Sequence, residues 1–114
     1  QIPFNRLNKL AEYPGGFDSL KTFIQRNFKF PESTININIE GSVKTTFSID
    51  TLGKVVEVKL IKGLFDEIDK SCLDVISKMP DWKPGESKDN EKVKIKFGLP
   101  LKFVLEEDDK HMKK

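Results

Sequence analysis

Cysteine, histidine and tryptophan each occur once in these 114 residues, and that scarcity removes several kinds of chemistry at the outset. One cysteine, Cys72, can neither close an internal disulfide nor assemble a thiolate metal site by itself, and leaves the redox compartment open. The single histidine, His111, lies in a charged tail without the partners of a catalytic dyad or a histidine metal cluster. No apolar run approaches the ~20 residues that span a bilayer, and no basic-then-apolar signal pattern opens the chain. Gln1 where a Met would start leaves two readings of the terminus: a mature product after signal removal, or a piece of something longer. Charge of one sign is missing as well. Twenty basic and 18 acidic residues leave a net +2, too balanced to imply a nucleic-acid or membrane partner by bulk charge. Gly15 and Gly16 lack the following Lys and Ser/Thr of a phosphate-cradling loop. Asp66, Glu67 and Asp69 lack the alternating oxygen ligands of a calcium loop. Cys72 falls at core spacing in a helical stripe, the setting of an inert buried thiol. The chain reads as a non-enzyme with no catalytic residue, metal or cofactor.

What is present is the material of one modest core. A chain of this length buries roughly two thirds of its unfolded surface, and nine Phe residues supply large side chains without polar atoms. Residues 1–13 show no clean period and form a leader. The folded domain spans 14–105, and 106–114 is a charged, disordered tail too poor in apolar residues to fold alone. Pro14, Gly15 and Gly16 make a turn, after which Phe17, Leu20, Phe23, Ile24 and Phe28 mark one helical face, with Asp18 in the first turn. Phe30 and Pro31 end it. Ile35, Ile37 and Ile39 alternate with polar residues, and the parity continues past Gly41 through Val43, Thr45, Phe47 and Ile49, predicting a strand. Asp50 to Gly53 turns the chain into a return strand on which Val56, Val58 and Leu60 alternate. Past Gly63, Asp66 is the expected N-cap with Asp69 three residues on, and Phe65, Ile68, Cys72, Val75, Ile76 and Met79 form a second helical stripe.

The stretch from Met79 to Gly85 joins that helix to the last strand. Pro80 and Pro84 forbid helix continuation, Gly85 permits a sharp turn, and Trp82 is free to plug one end of the core. Beyond it Val93, Ile95, Phe97, Leu99, Leu101, Phe103 and Leu105 alternate without a break. The order helix, strand, strand, helix, strand gives an α+β fold: a three-stranded antiparallel sheet, order 2-1-3, with two helices packed on one face. The third strand is then an edge.

Pro100 supports that placement independently, because proline cannot donate to a ladder and is tolerated where its nitrogen faces away from a partner. Residues of one parity aim both backbone groups at the same side, so if Pro100 faces outward, Lys94, Lys96, Gly98 and Lys102 do too. Their side chains, with Lys92, form a basic stripe on the wet face, while the odd residues are buried. The expected free edge is Lys92, Val93, Lys94, Ile95, Lys96, Phe97 and Gly98, a template for an incoming extended peptide. Lysines and a proline on an edge also deter self-pairing, which is compatible with admitting an acidic peptide. The stripe lacks the interleaved aromatics that stack bases, so no nucleic-acid partner is expected.

With Phe30 and Pro31 before the hairpin, Gly41 and Val43 opening it, Asp50 to Gly53 turning it, and Trp82, Lys83, Pro84, Gly85 before an edge strand, the chain resembles the TonB C-terminal domain family. The similarity covers roughly Tyr13 to Leu105. It looks most like the version common in Bacteroidetes, where Pro-Gly-Gly precedes the first helix, as Pro14, Gly15 and Gly16 do, and Leu-Pro interrupts the last strand, as Leu99 and Pro100 do. The departures are a strand-like Ile35 to Ile39 where family members tend to have a short polar helical segment, and no anchoring helix or proline-rich spacer. The resemblance implies a periplasmic module that binds the TonB box of an outer-membrane transporter by strand addition at Lys92 to Gly98. It also implies a link to an inner-membrane motor complex through an upstream region. The alternative it implies is a stand-alone or sensor-appended domain acting in assembly or regulation without energy transduction, as a monomer or a strand-paired dimer.

Overall fold

The computed structural model of the protein describes residues 6–32 and 38–105. The elements in chain order are β1 (Leu7–Lys9), α1 (Gly16–Asn27), β2 (Ile39–Ile49), β3 (Val55–Lys62), α2 (Asp66–Ser77), β4 (Gly85–Ser87), β5 (Lys92–Val93) and β6 (Ile95–Leu105). Ile35, Ile37 and the charged tail lie outside the described residues.

α1 starts where the backbone turns through Gly15 and Gly16, both at positive φ, with the Gly16 N–H donating to the Tyr13 carbonyl at 2.8 Å. Leu20 is buried, and Phe23 and Ile24 pack beside it against the core. Phe17, expected on that face, is 68% exposed at the helix entry, with the Lys21 ammonium 5.9 Å from its ring centroid. It shares the face of Leu20 but stands one turn earlier, in the first turn of the helix. α2 buries Ile68, Cys72, Val75 and Ile76, with Met79 just beyond its end. Its N-cap is Phe65, not Asp66, and Phe65 is exposed instead of joining the stripe. The cap is replaced by a longer reach: the buried Asp69 carboxylate turns back and accepts the Leu64 N–H at 2.8 Å. That satisfies one donor just before the helix and leaves Asp66 and Glu67 to meet the helix dipole.

The main sheet has the expected order, β3-β2-β6, and is antiparallel throughout. Its odd-numbered residues on β2 and β6 meet both helices in one core: Phe47, Ile49 and Ile95 pack with Leu20, Val75 and Ile76. Val43 and Phe103 pack with Ile68 and Cys72 in a second cluster. Alternation fails on β3. Val55 and Val58, three residues apart, are the side chains that reach the core, and Leu60 is 40% exposed. The cause is a bulge: between Thr46 and Ser48 the pairing slips from Lys59 to Val56, and Glu57 takes the left-handed conformation at φ 55.

A second sheet, β1-β4-β5, was not signalled by any period. Leu7 pairs with Ser87, Glu12 exchanges backbone hydrogen bonds with Lys83 at 2.9 and 2.8 Å, and Ala11 and Tyr13 are buried in the main core. The expected leader is thus in part a strand of the fold. Strands of two or three residues are too short to display alternation.

Trp82 ties the pieces together. Its ring lies edge-on to Tyr13 at 5.6 Å, 5.6 Å from Phe47 and 5.2 Å from Phe97. Its backbone amide N–H donates to the Gly53 carbonyl at 2.7 Å, which clamps the β2–β3 turn onto the junction. In that turn Asp50 accepts the Leu52 and Lys54 amides, both at 2.9 Å, and Gly53 sits at φ 85. A Cβ at Gly53 would run into the Trp82 carbonyl oxygen, so the position demands glycine twice over. Gly53→Ala is expected to destabilise the fold by about 2–3 kcal/mol in urea unfolding. Gly98→Ala, where a Cβ meets open space, is expected to stay within about 0.5 kcal/mol of the parent.

Candidate functional site

The outer side of β6 is built by its partner. Ile39 to Ile49 of β2 face Leu105 to Ile95 of β6 without one register shift, and Pro100 stands opposite Lys44. Antiparallel pairs alternate between those that exchange hydrogen bonds and those that do not. Proline has no N–H, so the Lys44–Pro100 pair is of the second kind, and Lys96, Gly98 and Lys102 share its parity. Their N–H and C=O groups therefore point away from β2. The odd residues point toward it, and one side-chain bond agrees: the Thr45 hydroxyl donates to the carbonyl of Leu99, directly opposite, at 2.9 Å. Among the described residues no strand pairs with β6 on its outer side. The N-terminal segment, which could have covered that edge, runs along β4 instead.

The seven-residue edge expected from Lys92 to Gly98 is split. Lys92 and Val93 pair with Glu86 and Gly85 of β4, so they belong to the small sheet, and Lys94 is a connector. The hairpin that captures them is tight: the Ser87 N–H donates to Glu91 at 2.9 Å and Asn90 turns at φ 63. Gly85 lets β4 pass close to the Ile95 side chain, where a Cβ would stand 2.6 Å from Cγ1. Of the predicted stretch, Ile95, Lys96, Phe97 and Gly98 lie on β6 itself.

The basic stripe is divided in the same way. Lys92 is paired with Glu86 at 2.7 Å and Lys94 with Glu57 at 2.6 Å. Both carboxyls are held below the usual range, each chiefly by the hydrogen bond from its lysine, with a Ser48 bond assisting Glu57. Lys96 and Lys102 have no ion pair among the described residues. Behind the edge the aromatic side chains support it: Phe97 stacks on Phe47 at 5.6 Å and both meet Trp82.

The remaining motif residues frame this unit from a distance. Pro14, Gly15 and Gly16 form the entry to α1, Pro31 follows that helix, and Pro84 and Gly85 lead into β4. β3 is also without an outer partner among the described residues, but its two register shifts and the left-handed Glu57 make it an irregular template. Sequence reasoning missed Thr46, Ser48, Glu57 and Lys59, which meet Lys94 and Lys96 on the wet face. Alternation marked the β2 pair as solvent-facing, and nothing marked the bulge.

The model of the family described as the Gram-negative bacterial TonB protein C-terminal matches residues 26–105. The chain belongs to the TonB C-terminal family. The solution NMR structure of the Helicobacter pylori TonB C-terminal domain superposes with a TM-score of 0.58 at 22% identity, covering 83% of this chain and 89% of that one. At that identity the likeness speaks for the fold. No curated protein matches. No described helix of this TonB-type domain is long and apolar enough to cross a membrane.

Cys72, fully buried on the inner face of α2, has its thiol pushed up to about 12, first by burial and then by the nearby Asp69 carboxylate. A thiol held neutral in the fold ionises earlier when the chain unfolds. Its contribution to stability is therefore intact below pH 9 and declines from there up to about 12, by about 1.4 kcal/mol per pH unit. Urea unfolding is expected to show a shallower alkaline decline in Cys72→Ala than in the parent. The native thiol is expected to resist alkylation at pH 8 until denaturant opens the core.

Proposed function

We propose that this TonB C-terminal domain works in the periplasm by capturing an extended peptide, the TonB box of an outer-membrane transporter, as an added strand along the outer side of β6. The stretch assigned to this role is Lys94 to Gly98, continuing past Pro100 toward Lys102. Its carrying observation is the alternation set by Pro100, which turns the backbone groups of Lys96, Gly98 and Lys102 away from β2. Main-chain hydrogen bonds give such a complex affinity and the alternate side chains give it selectivity. Pro100 leaves a gap in the donors, so the peptide finds its best ladder on the Lys96–Gly98 side. We assign the binding step to this domain, and not a catalytic one.

A second reading, assembly or regulation through pairing with another copy, draws on Leu60, Ile61 and Phe65, which are exposed on or beside the outer strand β3. A monomer in sedimentation that still binds peptide favours the first reading.

Lys96→Pro removes one outward N–H while the inward ladder stays complete, as it does at Pro100. The variant is expected to melt near the parent temperature and to lose at least about tenfold in affinity for a fluorescein-labelled TonB box peptide, read by anisotropy. Undiminished binding contradicts the assignment of the edge.

A further inference from the structure

Six of the seven glycines have a reason in the backbone: each takes positive φ or admits a neighbour where a Cβ would stand. Gly98 has neither. It sits inside β6 with the extended backbone of that strand, and a Cβ built on it would meet no described atom within 4 Å. Glycine weakens a strand interior, where it has no side chain to pack, so its presence there points to something that approaches from outside. The missing side chain leaves a slot on the wet face. Along β6 Gly98 is flanked on that face by Lys96 and Pro100, both exposed. Two strand steps of ~3.4 Å separate each of them from it. The slot thus has the bare Gly98 backbone as its floor, the Pro100 ring as one wall and the Lys96 stem as the other. The Lys96 ammonium has no carboxylate partner among the described residues.

We infer that this slot selects an aromatic side chain on the peptide added to β6, at the residue lying directly beside Gly98, an inference that rests on the strand-addition reading above. That residue stands one strand spacing away, ~4.8 Å, and its side chain rises on the same face as Lys96 and Pro100 whichever way the peptide runs. A flat ring there leans over the Gly98 backbone, where any other residue would put a Cβ in its path. It then covers the hydrogen bonds that Gly98 exchanges with the peptide and keeps water from them. Lys96 and Pro100 are the diagonal neighbours of the incoming residue, ~7–8 Å away and within reach of an aromatic side chain. Pro100 offers an apolar ring to one side of it, and Lys96 brings an ammonium free of other partners to the other. An aliphatic side chain fills the same space without the flat contact or the attraction for the ammonium. Gly98 therefore determines specificity, while the outward backbone groups of β6 bind any extended chain.

The test places phenylalanine, leucine or alanine at successive positions of a short fluorescein-labelled TonB box peptide and titrates each peptide, by anisotropy, with the parent protein, Gly98→Ser and Lys96→Pro. At one position the phenylalanine peptide is expected to bind the parent about threefold to fivefold tighter than its alanine twin and about twofold tighter than its leucine twin. Gly98→Ser sets a Cβ and a hydroxyl in the slot. It is expected to melt near the parent temperature, to bind the alanine peptide as the parent does, and to lose the phenylalanine advantage. Lys96→Pro, read with the alanine peptide, reports the backbone ladder alone and is expected to weaken binding. If the three peptides bind the parent equally at every position while Lys96→Pro weakens the alanine peptide, the slot is overturned and strand addition stands. A leucine peptide equal to the phenylalanine one, or a phenylalanine advantage that survives Gly98→Ser, overturns the slot as well. If Lys96→Pro leaves the alanine peptide unchanged, strand addition itself falls.

Discussion

A single missing hydrogen governs the outer half of this molecule. Pro100 has no N–H to give, and it stands opposite Lys44 in the middle of an eleven-residue ladder that runs from Ile39–Leu105 to Ile49–Ile95 without a slip. A ladder with no slip has one phase. Once Pro100 takes the position that exchanges no hydrogen bonds with β2, the same follows for Lys96, Gly98 and Lys102, and the backbone groups of all three face away. The side chains obey the same phase: odd residues enter the core and even residues stay on the wet face with the lysines. Backbone edge and basic stripe are thus two expressions of one register.

An edge of this kind must be stable without a partner, and the core shows how. β6 is held by β2 on one side and by burial on one face, with Ile95 in the larger cluster and Phe103 in the smaller. Phe97 rests on Phe47 and Trp82, and Trp82 is in turn pinned to the β2–β3 turn through Gly53. The small sheet takes up the N-terminal strand that could otherwise have paired with β6, since β1 lies on β4. The cost of leaving β6 open is further limited by what stands on it, because an edge bearing lysines and a proline resists pairing with its own kind.

The long periodic elements were legible in the sequence because their periods are sustained. Val93 to Leu105 alternate too regularly to be read otherwise, and with Pro100 they yielded the sheet order, the edge and its phase. Four features were hidden for physical reasons. Leu7 to Lys9 and Lys92 to Val93 form strands too short for a period, so the capture of Lys92 and Val93 by β4 went unseen. The bulge at Glu57 lacks the glycine that usually announces one, and Val56, Val58 and Leu60 therefore suggested a parity that β3 does not keep. Asp66 has the composition of a cap, yet the bond to the Leu64 amide comes from Asp69, one helical turn deeper. Phe17 has helical spacing but lies in the first turn, where it is left exposed. The meeting of Glu57 and Lys59 with Lys94 and Lys96 on the wet face follows from the bulge and was missed with it.

The proposed strand addition gives a reason for such a border to be kept open, and the register explains how it is formed. The most direct test is amide hydrogen exchange along β6 in the free protein, resolved residue by residue by NMR. The register predicts a sawtooth: fast exchange at Lys96, Gly98 and Lys102, and slow exchange at Phe97, Leu99, Leu101 and Phe103. Equal protection at both parities, or slow exchange at the even positions, would mean that another segment already occupies the outer side of β6.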